Sequence, residues 1–328
     1  FQDENNISHG VTFNSGWNIV GLPSSVENNS YEIVFPQAIN NTLFYYDDVY
    51  TMDSTLTLGN GYWLRFDSTG TATITGVPVY ELAINLKAGW NLVSGLSEEF
   101  SINASVDPEN IIVPNTLYGY VETYYTSEVL IPGNGYWLRA SEDGQIILNS
   151  EATQRISNIN HSLRGKANTL TINGMDLYFG IELSYENRLS YSLPPKPPAG
   201  AFDARFKDGW KLVKDYGEIE VLNTTETLTI AYDIKVDAGE HMNWVLTSDS
   251  GKDYPMEGKG ELVIPSEELF ILDKILRLPH SFSLHQNFPN PFNPITTLRY
   301  DLPSDAFVSL TIFDMLGREI TQLVNTTH

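Results

Sequence analysis

The chain has 328 residues, enough for roughly two to four domains. Its 41 acidic residues against 19 Lys and Arg give a formal charge of -22, which argues against a nucleic-acid partner, and the absence of cysteine excludes disulfide staples, thiolate zinc sites and cysteine nucleophiles. With 41% hydrophobic and 12% aromatic residues it is no disordered acidic tail, and no run of about 18 apolar residues marks a transmembrane segment.

Phe1 to Asn6 shows neither an initiator methionine nor a signal-peptide pattern, so the chain is expected to be an excerpt of a longer polypeptide. Soon after comes an internal duplication. Gly16-Trp17-Asn18-Ile19-Val20 returns as Gly89-Trp90-Asn91-Leu92-Val93, an offset of 73 residues. Asn41-Thr42-Leu43 returns as Asn115-Thr116-Leu117, and Asn60-Gly61-Tyr62-Trp63-Leu64-Arg65 as Asn134-Gly135-Tyr136-Trp137-Leu138-Arg139, both after 74. Three ordered matches at nearly one offset predict two copies of one module, at 1–82 and 83–152. Residues 1–150 carry 17 acids and only 3 bases.

Strands are predicted in the first copy over 17–22, 43–46, 62–66 and 71–75, each rich in β-branched and aromatic residues and bounded by Gly, Asn, Asp or Pro. In the Tyr-Trp-Leu-Arg runs, Tyr and Leu point to the face opposite Trp and Arg. Trp17, Trp63, Trp90 and Trp137 are read first as packing anchors. The alternative is an exposed platform for polysaccharide, with Trp63 and Trp137 as the candidate glycan-binding aromatics. Turns at Asp67 to Thr71 and Ser141 to Gly144 could offer oxygen ligands to calcium, but neither has a full calcium-loop pattern and solvated turns are the preferred reading.

A polar connector follows over 151–167. Seven strand candidates between Leu170 and Ile264, several alternating by two, then predict a β-sandwich-like, immunoglobulin-like domain at 168–275. Its proline-rich run, Ser192 to Gly200, is expected to be a rigid surface connection; a polyproline ligand for an aromatic groove is the other reading. Glu240 and His241, followed by Trp244, are read as a surface turn rather than part of a pocket. None of the six histidines stands in a zinc or hydrolase motif, phosphate-binding glycine loops are missing, and adjacent acidic pairs on a strand point apart. Neither catalytic nor cofactor-binding nor metal-ligating residues are therefore assigned, and the chain is read as no enzyme.

The last 49 residues, 280–328, hold the most specific pattern. Gln286-Asn287-Phe288-Pro289-Asn290-Pro291-Phe292-Asn293-Pro294 makes an extended, turn-rich entry, after which strands are predicted over 297–302, 308–313 and 319–324, with a turn at 314–318. These residues resemble the type A C-terminal sorting domain of substrates of the type IX (Por) secretion system, whose body is an immunoglobulin-like sandwich of FlgD type. The family's Gln-Asn-Tyr-Pro-Asn-Pro-Phe-Asn-Pro motif matches with Phe288 in the Tyr place. Its Tyr-Asp-x-x-Gly-Arg motif matches at Phe313, Asp314, Gly317 and Arg318.

The resemblance implies secretion, an extracellular or outer-membrane-surface location, and the secretion and sorting machinery as partner. Because the family's further strands are missing, the segment is expected to be a truncated sandwich that is not by itself a competent export signal. The fold expected overall is all-β and multidomain: two tandem modules, a sandwich and a partial sorting domain. The function expected is a noncatalytic segment of a larger secreted or surface protein, serving sorting and spacing. Carbohydrate binding or adhesion, to a polysaccharide or cell-surface component, is the alternative.

Overall fold

The computed structural model describes residues 6–150, 166–222, 225–235, 242–276 and 281–328. Among the described residues the chain is nearly all β, 52% strand and 3% helix, and multi-module. Contacts divide it into two units, residues 1–237 with 244–273, and residues 238–243 with 274–328.

In the first unit the two repeats fold alike. Module 1 forms a four-stranded antiparallel sheet in the order Gly16–Val20, Tyr62–Phe66, Phe44–Asp47, Val49–Met52. Module 2 repeats that order with Gly89–Ser94, Gly135–Ala140, Tyr118–Val121 and Thr123–Thr126. Behind each lies a second, smaller layer: Ile7–Phe13 pairs with Gly70–Pro78 in module 1, and Glu81–Leu86 with Gly144–Asn149 in module 2. Alternation along the Tyr-Trp-Leu-Arg strands decides which side chains enter which core. Tyr62, Leu64 and Phe66 join Val11, Phe13 and Leu43 inside module 1, and Tyr136 and Leu138 join Ile146 and Leu148 inside module 2.

The repeated motifs encode matched turns. Gly16 and Gly89 take positive φ of 87° and 98°, a conformation open to glycine. The following Asn then closes the turn, Asn18 Oδ1 accepting from Asn14 N–H and Asn91 Oδ1 from Lys87 N–H, each at 2.9 Å. Thr42 and Thr116 each donate to a carbonyl three residues back at 2.6 Å and accept from the Arg65 or Arg139 amide at 3.3 Å.

The third body is a pair of five-stranded sheets. One runs Leu212–Val213, Met175–Phe179, Asn168–Ile172, Thr227–Asp233, Lys259–Pro265; the other runs Asp203–Phe206, Gly217–Leu222, Leu269–Leu276, Met242–Ser248, Asp253–Met256. Phe179 of one sheet and Trp244 of the other meet edge to face, 4.8 Å between ring centroids. The sequence pattern missed Asp203–Phe206, Asp253–Met256 and Leu269–Leu276. Asp203–Phe206 defeats an alternation rule because all four of its residues are buried, two of them charged. The expected antiparallel sandwich also contains one parallel pairing, Met175–Phe179 with Leu212–Val213.

In the second unit, Ser283–Leu284 pairs with Tyr300–Asp301, and Phe307–Phe313 with Glu319–Thr327. Residues 151–165 of the polar connector over 151–167, and the Glu240-His241 turn, lie outside the described residues.

Candidate functional site: an aromatic layer that holds a proline-rich segment

The second face of each four-stranded sheet carries the tryptophans, and the two repeats join through it with internal twofold correspondence. Val20 bridges to Asn134 and Val93 to Asn60. An added Cβ on Gly61 would stand 2.7 Å from the Val93 carbonyl oxygen, and one on Gly135 2.7 Å from that of Val20, so only glycine admits this approach. Rings repeat the relation: Trp63 meets Tyr120 at 4.8 Å, and Trp137 meets Tyr46 at 4.9 Å. Trp17 and Trp90 stand edge-on to Trp63 and Trp137 at 6.3 and 6.4 Å, with Arg65 and Arg139 above them. Such edge-to-face pairs each contribute about 0.5–1.5 kcal/mol beyond the burial of their area.

Trp63 and Trp137 are consequently fully buried, 0% exposed. Neither can present an indole face to a sugar, which corrects the reading of these two as glycan-binding aromatics. The reason is that each tryptophan face is covered by rings from the other repeat.

On this layer lies the proline-rich run. Tyr124 OH donates to Pro195 O at 3.0 Å, Tyr50 OH to Lys196 O at 2.8 Å, Trp17 Nε1 to Ala199 O at 3.0 Å and Tyr120 OH to Phe202 O at 3.2 Å. Proline carbonyls are well suited to this role because a proline-rich segment has few N–H groups with which to pair its own carbonyls. Leu193, Pro194 and Pro197 are buried. The run is thus an internal strap gripped by tyrosine and indole donors, the geometry by which aromatic grooves hold proline-rich ligands, rather than a surface connection alone.

Under the strap sits an ion pair. Arg205 Nε donates to Asp203 Oδ2 and Arg205 Nη1 to Pro194 O at 2.6 Å, with the two side chains 4% and 1% exposed. Burial raises the Asp203 pKa above the usual carboxylate value, against the opposing pull of Arg205. Asp203 Oδ1 and Arg205 Nη2 lack hydrogen-bond partners. Burial likewise pushes up the phenols of Tyr50, Tyr118, Tyr120 and Tyr124, and that of Tyr125 to about 12. Sequence reading passed over Tyr46, Tyr50, Tyr120 and Tyr124, although Tyr46 and Tyr50 recur as Tyr120 and Tyr124 at the same offset of 74.

The motif residues of the tail are local turn-formers. Asn287 Nδ2 donates to Thr296 Oγ1 at 3.0 Å, Thr296 Oγ1 donates to Pro289 O at 2.9 Å, and Phe288 exchanges both backbone hydrogen bonds with Thr297. The run between them is closed at its base, with Gln286, Pro289, Asn290, Pro291, Phe292, Asn293 and Pro294 exposed. At the hairpin tip Asp314 Oδ1 accepts from the Leu316 and Arg318 amides at 2.8 and 2.9 Å, and Arg318 Nε donates to Asp314 Oδ2 at 2.7 Å. Gly317 supplies the positive φ, 77°. Hydrogen bonds from the Arg318 backbone and side chain hold the Asp314 carboxyl below its ordinary pKa.

Of the two turns considered for calcium, the Asp143 carboxylate accepts from Ala88 N–H at 2.8 Å, and the Asp67 carbonyl accepts from Ser15 Oγ at 2.9 Å. Among the described residues no group of three His, Asp or Glu side chains is placed to hold a metal ion. No helix of the described residues is long and apolar enough to cross a membrane. Comparison with family models, curated proteins and solved structures finds no match.

Proposed function

We propose that this chain is a noncatalytic segment of a larger secreted or surface protein, in which the two modules and the sandwich act as a spacer and residues 280–328 act in sorting. The observation that carries the spacer reading is the aromatic layer. The Trp and Tyr side chains that might have formed exposed sites instead join module to module, and four of them hold the sandwich by its strap. The sorting reading rests on the resemblance of Gln286 to Pro294 and of Phe313 to Arg318 to the type A sorting domain of type IX substrates. It is supported by the exposure of Pro289 to Pro294, which leaves that run readable by a partner. Export would place the chain outside the cell or on the outer-membrane surface.

The test uses the native polypeptide that carries this chain, in its own host. Replacing Asn290, Pro291 and Phe292 together by alanine is expected to move the protein from the cell surface or medium to the periplasm, read by fractionation and immunoblot. An unchanged distribution would remove the sorting assignment. The spacer assignment is tested separately by scanning calorimetry of the chain: modules and sandwich are expected to unfold in one transition, and three independent transitions would contradict it.

A further inference from the structure

The aromatic layer is twofold, and its strap is not. Tyr124 and Tyr50, which are twofold mates, hold the strap at Pro195 and Lys196, and beyond them the donors to the strap come from one half of the layer. There Pro198, Ala199, Gly200 and Ala201 form a turn, with Gly200 at a φ of 89° and Ala201 N–H donating to Pro198 O at 3.1 Å. Trp17 Nε1 holds the Ala199 carbonyl inside that turn, and Tyr120 OH holds the Phe202 carbonyl after it.

The other half repeats these groups. Trp17 and Tyr120 flank Trp63 at 6.3 and 4.8 Å, and their mates Trp90 and Tyr46 flank Trp137 at 6.4 and 4.9 Å. Phe44 borders Trp17 and Tyr118 borders Trp90, both at 5.9 Å. An acid at a positive-φ hairpin turn stands beside each phenol, Glu122 by Tyr120 and Asp48 by Tyr46. The two halves differ in the use made of their donors. Neither the Tyr46 hydroxyl nor the Trp90 indole N–H is hydrogen-bonded among the described residues. Both side chains keep part of their surface in water, whereas Tyr120 is buried.

Matching rings and matching donors select a matching ligand. An indole N–H and a phenol O–H set for carbonyls suit polypeptide backbone, and a proline-rich segment offers carbonyls with few N–H groups to compete for them. Asp48, together with the 17 acids against 3 bases of residues 1–150, favours a basic residue in that ligand over an acidic one. We propose that Trp90 and Tyr46 form a second docking site, which takes a Pro-x-Gly turn from a proline-rich, basic segment of a partner polypeptide as Trp17 and Tyr120 take the strap.

The test follows the indole N–H signals of the isotope-labelled intact chain by nuclear magnetic resonance while the peptide Pro-Pro-Lys-Pro-Pro-Ala-Gly-Ala-Phe, the sequence of residues 194–202, is added. The Trp90 signal, assigned by its loss in Trp90→Phe, is expected to shift saturably while the Trp17 signal stays in place. Tyr46→Phe, which keeps the ring and removes the donor, is expected to weaken binding about two- to tenfold. A peptide with valine in place of the glycine, which resists the positive φ of the turn, is expected to bind the unaltered chain about tenfold more weakly; this arm holds even if Tyr46→Phe melts early. A Trp90 signal that does not move, a Trp17 signal that moves in its place because the peptide displaces the strap, or equal affinity for the glycine and valine peptides overturns the assignment.

Discussion

Tyr50 and Tyr124, 74 residues apart and equivalent in the duplication, donate their hydroxyls to the neighbouring carbonyls of Lys196 and Pro195. A single asymmetric segment is thereby read by a pair of symmetry-related side chains, and the energetic consequences differ with burial. Tyr124 is 3% exposed while Tyr50 is only half-buried. Tyr124→Phe leaves a carbonyl without its donor in a dry site and is expected to cost about 1–3 kcal/mol, and Tyr50→Phe, where water can substitute, about 1 kcal/mol or less. Urea denaturation of both variants checks the order; a smaller loss in Tyr124→Phe than in Tyr50→Phe would contradict the strap as described.

Gly61 and Gly135 occupy equivalent places at the module junction, each with a partner carbonyl 2.7 Å from where a Cβ would stand. Gly61→Ala and Gly135→Ala are expected to destabilise by about 1–3 kcal/mol each, and by similar amounts. At Gly10, an exposed strand position whose nearest neighbour to an added Cβ is a methyl group at 3.5 Å, alanine is expected to change stability by no more than about 0.5 kcal/mol. Thermal melts of the three variants give the comparison, and equal values at all three sites would refute a tight junction.

Arg205→Met leaves Asp203 buried without its counter-charge and is expected to cost about 3–5 kcal/mol at neutral pH, whereas Asp203→Leu with Arg205→Met together is expected to cost much less. Because burial raises the Asp203 pKa in the folded state, the folded chain holds the proton more tightly than the unfolded one. Stability gained from that proton is present in acid and lost as pH rises through the folded pKa, so the single variant is expected to recover part of its loss in acid. A loss independent of pH, or a double variant no better than the single, would count against the pair.

Alkali is expected to unfold the first unit cooperatively. Tyr118 and Tyr124 are buried and their phenol pKa values are raised above 10.0, chiefly by desolvation. Above pH 10.0 the unfolded chain releases these protons while the folded chain keeps them, so stability falls with rising pH. The slope is about 1.4 kcal/mol per pH unit for each phenol. Tyrosinate absorbance and near-ultraviolet circular dichroism should change in one step; full tyrosine titration with the dichroism retained would show these rings to be open to water.

What the sequence determined by itself is whatever the chain encodes locally. Gly16-Trp17-Asn18 and Gly89-Trp90-Asn91 each close a turn with their own asparagine, and Asp314 to Arg318 closes a hairpin tip with its own carboxylate, so the repeats and these turns are legible from spacing alone. Tyr62 and Leu64 could be placed opposite Trp63 because a strand alternates. The fate of the opposite face was not legible. An alternating strand leaves one face for water, and only the second repeat and the strap turn that face into a buried layer, covering Trp63 with Tyr120 and Trp137 with Tyr46. The same long-range cover buries Asp203 and Arg205, which any hydropathy pattern assigns to the surface. Tertiary structure decided these positions because the groups that desolvate them lie tens of residues away, and no short-range pattern records a partner that distant.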